Sequence, residues 1–284
     1  MVLESLFNPF VVKKKPWHMF IAGFVYSIVG LFLAFFVFEE AAGLLMIFLI
    51  VLGALPMLYM TIKNEEELDL KYDKEWKILK EHTKVLIYFM FLFFGITLAL
   101  VLSYVVLPTE VTDNVFNLQK EAIVNVNANI QSNATGNVSR INVLGKIFFN
   151  NLSVLFFCLV FSFLYGTGAI FILTWNASVI AAAMGGLIKS ELAKVASLVG
   201  FSSISAYFGI TTFSFFRYMT HGILEVASYF IAGLAGGIIS IALIRHNLKE
   251  ERVLVDAFDL ILISVGLLLI AGVVEVYITP AIFA

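Results

Sequence analysis

The stretch HGILEVASYFIAGLAGGIISIALI, residues 221–244, decides the class of this protein. His221 and Glu225 stand one helical turn apart in a run otherwise apolar enough to cross a bilayer. An ionisable group at membrane depth costs about 2.5–3.5 kcal/mol or more, and persists where it pairs, faces a bundle interior or lines a polar cavity. A third such residue, Glu275, lies near the end of the last apolar run, AGVVEVYITP (271–280). These three residues point to a polar centre inside a membrane bundle.

The rest of the chain agrees with that class. Hydrophobic residues are 61% of the 284, charged residues are 13%, and the mean hydropathy is +0.98. A soluble domain is nearer half apolar and a quarter charged. The fold expected is all-α, a polytopic transmembrane helical bundle, because the long apolar runs lack the polar/apolar alternation of barrel strands. The start VLESLFNPFVV runs into Lys13, Lys14 and Lys15 with no small-residue cleavage site before the first span, unlike a signal peptide. The single cysteine, Cys158, lies in an apolar run, so no intrachain disulfide can form and a packing role is expected.

With about 20 apolar residues per crossing, spans fall near 17–38, 42–62, 85–107, 147–173, 222–244 and 254–279. Residues 174–220 are less regular: TWNASVIAAAMGGLIK, the polar turn KSELAK, then the Gly- and Ser-rich VASLVGFSSISAYFGITTFSFF. Interrupted segments at membrane depth need protein or a water-filled cavity around them, and in transporters they mark binding sites. Lys13–Lys15 place the N-terminus in the cytoplasm, and the six lysines of 63–84 return there after two spans. That mixed-charge loop, with Leu, Ile and Trp interleaved, suits an amphipathic helix at the inner surface. The connection at 108–146 then falls outside, with few basic residues, many Asn, and N-x-S/T sequons at Asn133 and Asn137.

The loop RHNLKEER (245–252) tests the count. With full crossings by both 174–188 and 195–220 it falls outside, against its basic character. Positive-inside logic therefore favours a re-entrant or broken helical element within 174–220, giving about seven spans and an external C-terminus.

Four motifs in order carry a family resemblance. IFFNNLSVLFF opens the fourth span, FILTWNASVIAAAMG follows, then HGILEVASYFIAGLAGG and the terminal AGVVEVYITP. This order resembles the stage II sporulation protein M family of integral membrane proteins over roughly 84–284, leaving 1–83 as a two-span extension with its charged loop. The resemblance implies Asn150, Asn151, Asn176, His221, Gly222, Glu225, Glu275 and Pro280 as the family's positions. Its namesake looks like a scaffold that gathers cell-wall hydrolases in endospore-forming bacteria, and the role of relatives elsewhere is largely unknown. The Lys/Glu-rich loops and the Asn-rich loop here suit an archaeal member.

Two readings of the polar residues stand side by side. In one, Asn150, Asn151, Asn176, His221, Glu225 and Glu275 form an interhelical network that fixes the bundle, each bond contributing about 0.6–2 kcal/mol. In the other, His221 and Glu225, sharing a helix face at i, i+4, join Glu275 in a metal, cation or proton site. Arg217, four residues before His221, is either a snorkelling interfacial cation or the countercharge to a buried carboxylate. Asp256 and Asp259 read as interfacial caps of the last span. Gly233 and Gly237, at G-x-x-x-G spacing, form with Gly222 a face for close helix packing, against the same chain or another copy. Gly185 and Gly186 either pack likewise or break their segment.

No His-Glu-x-x-His pattern, phosphate loop, nucleotide fingerprint or Ser-His-Asp set is present, so neither catalysis nor a cofactor is expected, and nothing points to nucleic acid. The leading expectation is a non-enzymatic scaffold or assembly factor of the cell membrane. Its partners would be the lipid bilayer, other membrane or envelope proteins, and further copies of itself. The alternative is a transporter or channel whose path passes Glu225, His221 and Glu275.

Overall fold

In a computed structural model of the full chain, residues 16–38, 41–71, 75–131, 140–165, 168–199, 204–244 and 251–283 are described. They form one helical bundle with no strand among them. Its helices are α1 (Trp17–Val37), α2 (Ala42–Lys71), α3 (Glu75–Val106), α4 (Thr109–Val115), α5 (Asn117–Gln131), α6 (Arg140–Tyr165), α7 (Ala169–Val199), α8 (Ile204–Ile244), α9 (Glu251–Val273) and α10 (Thr279–Ile282). A π-helix, Val274–Ile278, joins the last two. Six helices are long and apolar enough to cross a membrane, and Ala42–Leu58 adds a shorter apolar one.

Apolar side chains gain little by leaving lipid for a protein interior, so membrane helices associate where small residues let backbones approach. Gly23 of α1 and Gly95 of α3 face each other's helices so closely that an added Cβ would collide with the Leu92 and Phe20 carbonyl oxygens respectively. α3 also carries much of the core, with Tyr88, Leu92, Phe93, Ile96 and Leu100 fully buried. Phe230 of α8 stacks on Phe89 (5.6 Å between centroids) and meets Phe93 edge-on at 6.3 Å, the offset geometries aromatic rings prefer. The N-terminal helix α1 is thereby part of the same bundle as the later spans.

The charged stretch 63–84 does not form a separate surface helix. Its residues 63–71 prolong α2 and 75–84 open α3. Both sequons fall outside the described residues. The connection after α3 is only partly a loop. α4 and the start of α5 fold back onto the bundle, burying Thr112, Val115, Phe116 and Gln119. Phe116 packs edge-on against Tyr104 at 5.1 Å.

Residues 174–220 are helical on both sides of 200–203. α7 runs through Gly185 and Gly186, and Gly185 seats the Tyr104 ring, whose Cδ1 would lie 2.6 Å from an added Cβ. The Gly- and Ser-rich stretch from 204 to 220 is the first half of α8, continuous with 222–244. Thr220 there satisfies its hydroxyl on the preceding turn, donating to the Phe216 carbonyl at 2.6 Å. At 1.5 Å per residue, the 41 residues of α8 reach roughly 60 Å, about twice the hydrocarbon thickness.

This continuity makes 204–244 one helix, and the six long apolar helices with the shorter Ala42–Leu58 agree with the expected count of about seven spans. Contacts set the helix directions. Gly185 meets Tyr104, and Lys189 meets Leu107, so α3 and α7 run parallel. Asn151 meets Glu225, and Leu159 meets Gly236, so α6 and α8 run parallel. His221 meets Thr279 and Glu225 meets Glu275, pairs that both sum to 500, so the C-terminal helix runs opposite to α8. Ala169 meets Gly233, so α7 and α8 run antiparallel, and the start of α3 and the end of α8 share one end of the bundle. The end of α3 and the end of the C-terminal helix share the other.

Candidate functional site

Three elements bring the polar residues together. α6 supplies Asn151, near the middle of its helix. α8 supplies His221 and Glu225, with Glu225 near the helix centre. The C-terminal π-helix supplies Glu275, and Thr279 follows it. The π-turn has a local cause: the Pro280 ring would clash with the carbonyl of Val276, four residues back, so the α pattern does not close there. Such turns are rare and often occur at functional positions, and this one turns Glu275 towards α8.

Asn151 Nδ2 donates to Glu225 Oε1 at 2.6 Å. Glu225 is in turn in side-chain hydrogen-bonding contact with Glu275. One helical turn away, His221 Nδ1 lies 3.2 Å from Thr279 Oγ1. The result is a chain of hydrogen bonds crossing α6, α8 and the C-terminal helix. Above it, the Arg140 guanidinium lies 5.9 Å from the centre of the Tyr277 ring, a cation–π distance.

Several expected members lie elsewhere. Asn176 donates to the Ile172 carbonyl one turn back on its own helix, at 2.9 Å, and so does not join the chain. An Asn in an apolar helix readily finds its own backbone in this way. Arg217 is exposed, and no hydrogen bond or ion pair ties it to either carboxyl. Asn150 donates to Asn151 Oδ1 at 3.3 Å, but is itself exposed. Gly222 is buried, yet an added Cβ would meet nothing within 4 Å, so it is not a close-packing position. Gly233 is one: an added Cβ would lie 2.7 Å from Ala169 Cβ in the same chain. Gly236, rather than an i+4 partner, makes the next close approach, against the Leu159 carbonyl oxygen, and Gly237 is simply buried.

Gln119 was not legible as a site residue. It is fully buried, its Nε2 donates to Ser178 Oγ at 3.1 Å, and its Oε1 has no partner. Nearby, Lys189 Nζ donates to the Leu107 carbonyl at 2.8 Å, capping the end of α3. Lys120 pairs with Asp113, and both lysines approach the Tyr104 ring, at 5.2 and 5.4 Å. Burial acts to lower the Lys120 pKa, but its hydrogen bonds to Asp113 and Tyr104 outweigh this and hold it above the ordinary lysine range.

The donor set is short for a metal. Among the described residues no group of three or more His, Cys, Asp or Glu side chains could hold one. A cavity of about 20 Å³, room for one water, lies elsewhere, between Leu58, Phe89, Ile170, Leu173 and Phe230.

Neither a curated protein nor a solved structure matches the chain. A family model, that of stage II sporulation protein M, matches residues 42–280. The match begins at α2, earlier than the third span from which the motifs alone placed the resemblance, and takes in the charged stretch as well. With most of its length matched and six helices fit to cross a bilayer, this multi-pass membrane protein belongs to the stage II sporulation protein M family.

Proposed function

We propose that the protein is a membrane scaffold or assembly factor whose polar chain locks three helices together. The observation that carries this is the linkage itself. Asn151, Glu225 and Glu275 use one another as partners, and His221 uses Thr279. Side chains committed to each other across helices hold a bundle in one arrangement. The partner-facing parts are then the two ends: the lysine-rich, mixed-charge stretch at 63–84 with the connection at 245–252, and the opposite end with α4, α5 and the Asn-rich segment. The end with the 63–84 lysines is cytoplasmic by the positive-inside rule, in the cell membrane.

A photo-crosslinking residue at an exposed α5 position such as Glu121, with expression in native membranes, tests this. The expected result is one or a few discrete protein adducts. Only lipid adducts from α5 and from 63–84 alike would refute it.

One observation favours a second reading, as a proton or cation carrier. Interhelical glue needs only neutral amides and hydroxyls, whereas this chain holds two carboxyls in contact beside a π-turn. Flux in proteoliposomes separates the two.

A further inference from the structure

The end of α3 gathers two cations that the polar chain does not use. Tyr104, near the end of that helix, is buried. Two elements clasp its ring: Gly185 of α7 seats it, and Phe116, just before α5, meets it edge-on at 5.1 Å. Each of these residues is followed one turn later by a lysine, Lys189 on α7 and Lys120 on α5. Both ammonium groups therefore reach the same ring, Lys120 Nζ at 5.2 Å from its centre and Lys189 Nζ at 5.4 Å.

The charges there do not balance. Lys120 pairs with Asp113 and donates to the Tyr104 hydroxyl. Lys189 gives an N–H to the Leu107 carbonyl at 2.8 Å, and no carboxylate pairs with it among the described residues. Lys120 and Asp113 are the charged groups that act on it. Two ammoniums against one carboxylate leave one positive charge over. Donors are in surplus too. Lys189 has more N–H groups than the carbonyl uses, and the Tyr104 hydroxyl, accepting from Lys120, keeps its own proton to give.

Depth says what meets that charge. Lys189 is the first charged residue of α7, and Tyr104 lies in the last turn of the Thr83–Val106 span. The cluster thus sits where hydrocarbon gives way to headgroups. It is also at the end opposite to the lysines of 63–84, where the positive-inside bias disfavours basic residues, so lysines kept there have a local reason. Every phospholipid carries a singly charged phosphodiester in that layer, lysine is a common phosphate binder, and basic pockets between membrane helices hold such headgroups.

We infer that Tyr104, Lys120 and Lys189 bind a singly charged phosphodiester, carried either by a phospholipid headgroup or by a soluble glycerophosphodiester. Its charge balances the surplus, and its oxygens accept from ammoniums presented by α5 and α7. Asp113 holds Lys120 in place from α4. The site does not rest on the scaffold reading, since it uses other helices than the Glu225–Glu275 chain.

The test titrates the full chain in a non-ionic detergent by calorimetry at fixed ionic strength. The probes are dioctanoylphosphatidylglycerol, glycerophosphoglycerol as its headgroup without chains, dioctanoylglycerol as its chains without phosphate, and octanoate as a carboxylate. Saturable binding is expected for a phosphodiester probe and for neither of the other two. Tighter binding of the lipid assigns the site to a headgroup; equal binding of the two phosphodiesters assigns it to a soluble ester. Lys189→Gln keeps an N–H for the Leu107 carbonyl but drops the charge, and is expected to weaken binding roughly tenfold or more. Lys120→Gln is expected to weaken it as well, and is read alone if Lys189→Gln does not fold. Lys194→Gln, on the same helix but paired with Glu191, is expected to bind like the parent. No saturable binding of either phosphodiester overturns the inference. So does octanoate binding as tightly as they do, or a folded Lys189→Gln or Lys120→Gln that binds like the parent.

Discussion

Glu225 accepts from Asn151 on one side and meets Glu275 on the other, so it is the joint of the polar chain. Replacing it by Gln preserves both links, because the amide oxygen still accepts from Asn151 and its NH2 donates to Glu275. Glu225→Gln is therefore expected to melt within a few degrees of the parent in detergent. Glu225→Leu removes the partner of the Asn151 Nδ2 donor and of the Glu275 carboxyl, both half-buried, and is expected to lower stability by about 1–3 kcal/mol. A double-mutant cycle of Asn151→Leu with Glu225→Leu is expected to show coupling of at least about 0.6 kcal/mol. Additive effects would mean that the 2.6 Å bond contributes nothing. Much of this was legible in the sequence. Ionisable residues in apolar runs are conspicuous, and His221 and Glu225 share a face by spacing alone. Asn176 and Arg217 were not separable from the chain, since an amide bonded to its own helix and an exposed arginine look the same in sequence as members of a cluster. Gln119 was hidden because the helix that carries it, α5, is too polar to announce burial.

At the scale of the helix, α8 shows how weakly composition signals a break. Its Gly- and Ser-rich first half suggested an interruption, yet the helix is continuous because intrahelical bonds satisfy every interior backbone group in lipid. Its glycines divide by what lies opposite. A methyl at Gly236 runs into the Leu159 carbonyl oxygen, whereas one at Gly222 meets nothing within 4 Å. Gly236→Ala is therefore expected to destabilise by about 1–3 kcal/mol through overpacking. Gly222→Ala is expected to be neutral or to stabilise by up to about 1 kcal/mol, through helix propensity alone. Thermal melts of the two variants in one detergent check both signs together. The π-turn before Pro280 had a visible cue in the Thr-Pro pair, but its effect on Glu275 needed the partner helix to be seen.

At the scale of the whole molecule, the helix directions make a statement about sidedness. The start of α3 and the end of α8 share one end, opposite to the end of α3 and the end of the C-terminal helix. Cysteines placed at Asn247 and Lys63 in a Cys158→Ser chain are expected to label from the same side with a membrane-impermeant maleimide. A cysteine at Phe283 is expected to label from the other; labelling of Asn247 with Phe283 would mean an additional crossing. The number of crossings was the part of the fold least legible in the sequence, because the charge rule fixes only parity. The most direct test of the central reading, a polar chain that holds helices together, is ion flux through reconstituted protein. Purified parent and Glu225→Gln, each in vesicles loaded with a pH-sensitive dye, are expected to stay as tight to protons and cations as protein-free vesicles. Flux through the parent that a folded Glu225→Gln variant loses would contradict it and make the same residues a path.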